Sequence, residues 1–355
     1  MHIKKSIKQH QIKFWTGILL VQIFWFYLCS KVEFLTYFFE RFFENQKEIH
    51  QKVFAIVPFS VGDIFYLILG CGLVYLLIQI LKKSKRKHSL KIFLIGLNIF
   101  YFTYQIFWGM LYFKEPMIKN FKKVENPQQE AKLLALKYLE RCKTTRTFVS
   151  ENRDGVFEIN DLQLIKAEII HHQTKLPSFI GSNKSTGILA LKPSLYKGVM
   201  SYTGILGYYN PFTSEAQFNS ELPSTYIPFT LAHESMHQLG IAREQEANFT
   251  AYLIGKDSEN FDLRYSTEYY VLKSLLGSLA EKDPDFVKGV IANYSIGMKR
   301  DREFEIHFRK KHDGFLTAFF GFTNDLFLKS NQQEGSITYS YFVDLLLRYE
   351  HHHLK

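Results

Sequence analysis

Two histidines four residues apart enclose a glutamate in the segment His233-Glu234-Ser235-Met236-His237. On a helix, positions i and i+4 project from one face, so both imidazoles can be presented to a single cation. A carboxylate beside them is suited to hold an attacking water and take its proton, which is the chemistry of metal-assisted hydrolysis. Zinc in such a site takes three protein ligands and leaves one position open, so a third donor has to follow. Gly240, three residues after His237, can end the helix and reverse the chain. The segment after it, Arg243-Glu244-Gln245-Glu246-Ala247-Asn248, reads as a second helix beginning near Ala242, and offers two acids. Glu244 is the expected ligand, with Glu246 as the alternative. The choice rests on Asn248, four residues beyond Glu244 on the same face, where its amide can hydrogen-bond a ligand. The expected set is therefore Zn2+ on His233, His237 and Glu244, Glu234 as the catalytic residue, and Asn248 in support.

Other readings of these residues exist. Two histidines on an ordinary amphipathic helix with solvated acids would need neither the glycine turn nor the acidic pair that follows at short range. A structural or sensory metal site would use the same ligands with no turnover, since spacing alone does not separate open from closed coordination. A developing oxyanion normally needs a further donor, and Tyr208, Tyr209, Arg264 and Tyr265 are the available groups.

The elements that position these residues lie in the polar two-thirds of the chain. From Glu115 onward the long apolar runs stop and amphipathic helical spacings alternate with loops, as in a mainly α or α+β domain. Glu130–Cys142 and Leu162–His172 have helical spacing, Gly187–Leu191 is short and apolar, and Ser201–Tyr209 is aromatic and broken by glycine, as an irregular strand would be. The longer stretch Ser201–Ala216 is placed to border a cleft and pair with an extended substrate by strand addition, or else is an ordinary connecting loop. The helix carrying the histidines starts near Pro228, where the missing N–H of proline costs little.

The first 114 residues read differently. Uncharged or nearly uncharged runs at about 14–30, 61–81 and 92–113 are each long enough to cross a hydrocarbon core of about 30 Å as a helix. No small-residue cleavage site follows Ser30, so the first run reads as an uncleaved anchor. Lys4, Lys5, Lys8 and Lys13 precede the first run, and Lys82, Lys83, Lys85, Arg86, Lys87 and Lys91 fill the loop between the second and third. Positive flanks resist translocation, which places the N-terminus in the cytoplasm and everything after Lys114 outside it. The expected organisation is a three-span helical region over 1–114 and an extracytoplasmic, periplasmic domain over 115–355, in a multi-pass protein of the inner membrane. The segment between the first two runs mixes charges with Phe34, Phe38, Phe39, Phe42 and Phe43, the pattern of an interfacial helix. Asp63, just after Ser60 and Gly62, suits either a helix start or an acid inside the membrane.

The formal charge of +10 over 355 residues is explained by these topogenic clusters, so no nucleic-acid partner is expected. Cys29, Cys71 and Cys142 give no disulfide framework. The expected partners are the lipid bilayer and a peptide or protein substrate.

The stretch from His233 to Asn248 resembles the gluzincin class of metallopeptidases, in which HExxH is followed by a glutamate on a second helix, often in a Glu-x-x-Ala-Asp context. Here the counterpart is Glu244-Gln245-Glu246-Ala247-Asn248, with asparagine in place of aspartate. The same wording is similar to regulatory metalloproteases that cleave repressors in the cytosol, a role the apolar runs oppose. Over most of its length the chain resembles an uncharacterised family of bacterial membrane proteins, known only as a domain of unknown function, with N-terminal spans and an HExxH-bearing C-terminal domain. The residues carrying that resemblance are Phe59-Ser60-Val61-Gly62-Asp63, Phe107-Trp108-Gly109 through Tyr112, Tyr209 through Ala216, the HExxH stretch, and Arg264-Tyr265-Ser266. It implies a zincin-like fold of gluzincin type and a membrane-anchored zinc peptidase that hydrolyses peptide bonds. The rival from another class is a non-catalytic membrane sensor or scaffold that retains a zinc-binding domain.

Overall fold

Apolar residues are concentrated before Lys114, and there the chain forms four helices: α1 (His2–Cys29), α2 (Glu33–Ala55), α3 (Val61–Leu81) and α4 (Arg86–Phe107). The computed structural model describes residues 2–180, 190–330 and 338–353. Within it, His10–Cys29, Val61–Leu81 and Arg86–Phe107 are long and apolar enough to cross a membrane. The third of these stops six residues short of the apolar run that suggested it. Trp108 leaves helical geometry at φ −148°, and Gly109–Phe113 continues as a 3₁₀ turn. α2 is the aromatic segment with mixed charge, and it leaves Phe34 and Phe38 exposed.

The chain divides into two compact units, one made of residues up to Lys114 together with Asn210–Glu215, the other of Glu115–Tyr209 and Ala216 onward. In the first unit, Asn98 of α4 donates to the carbonyl of Trp15 at 3.1 Å, tying α4 to α1. Ser60 caps α3 by accepting the Asp63 N–H at 3.0 Å, so Asp63 lies in the first turn of that helix. The Glu215 carboxylate takes the N–H groups of Val61 at 3.1 Å and Gly62 at 2.5 Å. A negative charge there meets the positive end of the helix dipole. His50 fastens the same short segment. Its Nε2 donates to the Phe212 carbonyl at 3.0 Å, so its Nδ1 accepts from the Ser214 hydroxyl at 2.9 Å. Burial lowers the pKa of His50 and favours this neutral form. Ser214 sits at φ 52°, in the left-handed region that side chains rarely adopt.

The second unit is mostly helical: α5 (Pro127–Thr145), α6 (Leu162–Gln173), α7 (Lys197–Thr203), α8 (Ile227–Gln238), α9 (Glu244–Gly255), α10 (Phe261–Leu279), α11 (Pro284–Ala292), α12 (Ile296–His312), α13 (Phe315–Ser330) and α14 (Thr338–His353). Its strands are β1 (Leu191–Pro193), β2 (Gly207–Asn210) and β3 (Glu215–Phe218), in the order β1-β3-β2, with β1 parallel to β3 and Leu191 opposite Ala216. Residues 187–189 of the apolar run read at Gly187–Leu191 lie outside the described residues; Leu191 opens β1. Ser201–Tyr209 is not one irregular strand. Its first part ends α7, Gly204 at φ 74° supplies the left-handed residue that stops that helix, and only then does β2 begin.

The core lies where α8, α9 and α10 meet α5 and α14, around the fully buried Tyr138, Phe218, Leu231, Tyr252, Tyr265 and Tyr269. Buried charges there are paired, as their desolvation requires. Asp301 accepts from Arg146 at 2.6 and 3.2 Å, from the Tyr265 hydroxyl at 2.7 Å and from the Phe157 N–H at 2.8 Å. Arg141 pairs with Glu268 at 2.8 Å, and Lys273 with Glu305 at 2.8 Å.

Candidate metal centre

α8 presents His233 and His237 one turn apart, with ring centroids 4.8 Å from each other. The helix stops in a Schellman turn, in which the Ile241 N–H returns to the Met236 carbonyl at 3.1 Å and the Gly240 N–H to the His237 carbonyl at 2.9 Å. Gly240 takes φ 86°, which glycine adopts without a steric penalty. Met236 and Ile241 are both buried in the core, the apolar contact that usually accompanies this turn.

The turn has two chemical consequences. It starts α9 at Glu244, so that this carboxylate returns to the histidines. It also places the Ile241 carbonyl 2.7 Å from His237 Nδ1. A carbonyl only accepts, so Nδ1 carries the proton and Nε2 faces Glu244 as a lone-pair donor. Glu244 Oε2 is 3.2 Å from His233 Nε2, and Oε1 is 3.6 Å from His237 Nε2. One donor atom from each of His233, His237 and Glu244 lies within 4.8 Å of the other two.

Electrostatics single out the same residues. Burial alone would lower His233, but its hydrogen bond to Glu244 and the charges of Glu244 and Glu234 outweigh that and hold its pKa above the ordinary value. His237 is pushed down to about 4 by burial, against the pull of Glu244. For Glu244, burial acts upward but is overcome by His237 and His233, which hold the carboxyl well below its usual range although one-third of its side chain is open to solvent. Glu234 is raised to about 8, chiefly by burial, and its Oε2 has no hydrogen-bond partner among the described residues. A buried carboxyl oxygen without a partner is costly unless something else occupies the space before it.

The remaining residues sort as follows. Glu246 is two positions from Glu244, yet points elsewhere: its Oε1 accepts from the Met117 N–H at 2.8 Å and pairs with Arg243 at 3.1 Å, so it fixes the first turn of α9 and is outside the donor cluster. Asn248 is buried and close enough to His233 to favour the charged imidazole, but His233 Nδ1 makes no well-formed hydrogen bond. The ring of Tyr209 lies 6.5 Å from that of His237. Tyr265 is committed to Asp301, and Arg264 to the Ser258 carbonyl at 2.6 Å and the ring of Phe261, so neither stands among the donors.

Sequence reasoning missed Gly207. A Cβ at this first residue of β2 would fall 2.6 Å from Glu234 Oε1 and 2.8 Å from the Gln217 carbonyl, so only glycine lets β2 pass this close to Glu234. The available signal was a glycine inside a strand-like run, which marks close backbone approach without saying to what.

Fold and site together define a largely helical domain with a His-His-Glu cluster, in a chain that also carries three helices long and apolar enough to cross a membrane. The chain belongs to the family described as a protein of unknown function (DUF3810), whose model matches residues 38–347. No curated protein and no solved structure matches it.

Proposed function

We propose that the protein is a membrane-anchored zinc-dependent peptidase of zincin-like, gluzincin-type build, multi-pass in the inner membrane, with its N-terminus cytoplasmic and its second unit in the periplasm. The observation that carries this reading is the convergence of His233, His237 and Glu244 beside the partnerless carboxyl oxygen of Glu234. Two imidazoles and a carboxylate are a donor set that zinc takes in hydrolytic sites. Each imidazole Nε2 faces one oxygen of the Glu244 carboxylate, His233 at 3.2 Å from Oε2 and His237 at 3.6 Å from Oε1, so both rings and the carboxylate bound one small space.

Zinc bound there would supply a Lewis acid and an activated water. Glu234 would take the proton of the attacking water and pass it to the leaving amine, a role suited to a buried carboxyl next to the ligand His233. His237 is held in the ligating tautomer by the Ile241 carbonyl, so it presents Nε2 without rearrangement. Asn248 supports His233, and Tyr209, whose ring lies 6.5 Å from that of His237, is the candidate to meet a developing oxyanion. The substrate is a peptide or protein.

The test is hydrolysis of a mixed peptide pool by the full-length protein in detergent, comparing wild type with Glu234→Gln. The peptidase reading expects the variant to keep its metal and lose about 10³-fold or more in rate. Undiminished hydrolysis in the variant, or none by metal-loaded wild type, favours a sensor or scaffold that only binds zinc.

A further inference from the structure

The second unit exposes apolar side chains on two neighbouring helices. α13 turns Phe315, Phe319 and Phe322 to solvent, at 81, 48 and 63% exposure. These positions, i, i+4 and i+7, form one stripe. The opposite side of α13 is the packed one: Thr317 donates to the Tyr202 carbonyl of α7 at 2.8 Å. α7 adds Val199 and Tyr202, exposed at 58 and 45%. The aromatic stripe is therefore not the packing face of its helix. An exposed aromatic stripe of this kind marks an interaction surface.

Charge around the patch indicates what it meets. α12 ends in Arg309, Lys310, Lys311 and His312 immediately before α13, and Lys197 opens α7. The nearby acids are fewer: Asp325 pairs with Lys329 at 2.7 Å, Glu221 lies 3.9 Å from Lys197, and Asp313 follows the end of α12. Phenylalanines on one helix face beside a basic cluster are the composition of an element lying in a lipid interface, its rings among acyl chains and its cations among phosphates. A second copy of the chain fits less well, because a two-fold contact on this face would bring the basic clusters together.

We propose that the Phe315-Phe319-Phe322 stripe of α13 docks on the surface of a bilayer containing anionic lipid. This docking does not depend on the metal centre.

The experiment uses the full-length chain in nanodiscs of phosphatidylcholine and phosphatidylglycerol, with Cys71→Ser and a bimane fluorophore on Phe319→Cys or, separately, Phe322→Cys. Ile296→Cys on α12, exposed at 71%, is the reference. Brominated acyl chains are expected to quench at 319 and 322 at least about twofold more than at 296, with aqueous iodide showing the reverse order. Equal quenching by brominated lipid at all three positions overturns the proposal. So does shielding of 319 and 322 from lipid and iodide alike, which is what a protein partner or a second copy would produce.

Discussion

His233 and Glu244 hold each other in the absence of metal, one as a cation above its ordinary pKa and the other as an anion below it. A metal entering the cluster must displace the His233 proton, so binding is coupled to proton release and strengthens as pH rises toward neutrality. Calorimetric titration of zinc into metal-free protein at pH 7, in buffers of differing ionisation enthalpy, is expected to show net proton release on binding; heats independent of buffer would oppose this. The two acids of α9 separate cleanly by substitution. Glu244→Gln should abolish tight metal binding. Glu246→Ala should leave it intact while lowering stability by about 1–3 kcal/mol, because the Met117 N–H and Arg243 lose a buried partner. Metal content and thermal melting of the two variants give the answer. Sequence spacing alone could bring His233, Glu234 and His237 to one face, since that is local helical geometry. It could not decide between Glu244 and Glu246, which share a turn and are distinguished by a backbone N–H more than a hundred residues earlier.

At the scale of elements, the turn between α8 and α9 and the approach of β2 do most to shape the site. Gly240→Ala places a side chain at φ 86° and is expected to cost about 1–2 kcal/mol, with weakened metal binding because the Ile241 carbonyl shifts away from His237. Gly207→Ala should act differently. It leaves the ligands untouched but drives Glu234 or β2 aside, so metal is retained while peptide hydrolysis falls about 100-fold. Equal activity of this variant and wild type would show that Glu234 does not need its present place. The glycine turn was legible because a single residue type in one position has one obvious use after a helix. Gly207 acquires its meaning only once Gln217 and Glu234, ten and twenty-seven residues away, fold against it. The helix at Lys197–Thr203 was obscured for a related reason: its exposed valine and tyrosine look like strand residues until the left-handed Gly204 is seen to end a helix.

At the scale of the molecule, the three apolar runs were readable because a hydrocarbon core demands about twenty apolar residues in a row, and few other environments do. The end of the third was not, since Trp108 and Gly109 are apolar enough to prolong the run after the helix has ended. Nor was the return of Asn210–Glu215 to the first unit, because Glu215 finds its partners at the start of α3 through tertiary contacts alone. In the second unit, Asp301 joins α5, α10 and α12 through Arg146 and Tyr265, and Asp301→Ala is expected to cost about 3 kcal/mol or more, because the buried Arg146 keeps only Glu151 and the Gly155 carbonyl while the Tyr265 hydroxyl and the Phe157 N–H lose their acceptor. Proteolytic susceptibility across a temperature series would report that loss. The proposed orientation predicts that an alkaline phosphatase fused after the last residue is active, and one fused in the basic loop before α4 is not.

Zinc-edge X-ray absorption on the full-length protein reads the three side chains and the ion together. One zinc per chain, with two imidazole nitrogens and one carboxylate at about 2.0–2.1 Å, is expected, and Glu244→Gln should lose that signature. Zinc bound through other donors, or a spectrum unchanged by that substitution, would contradict this coordination.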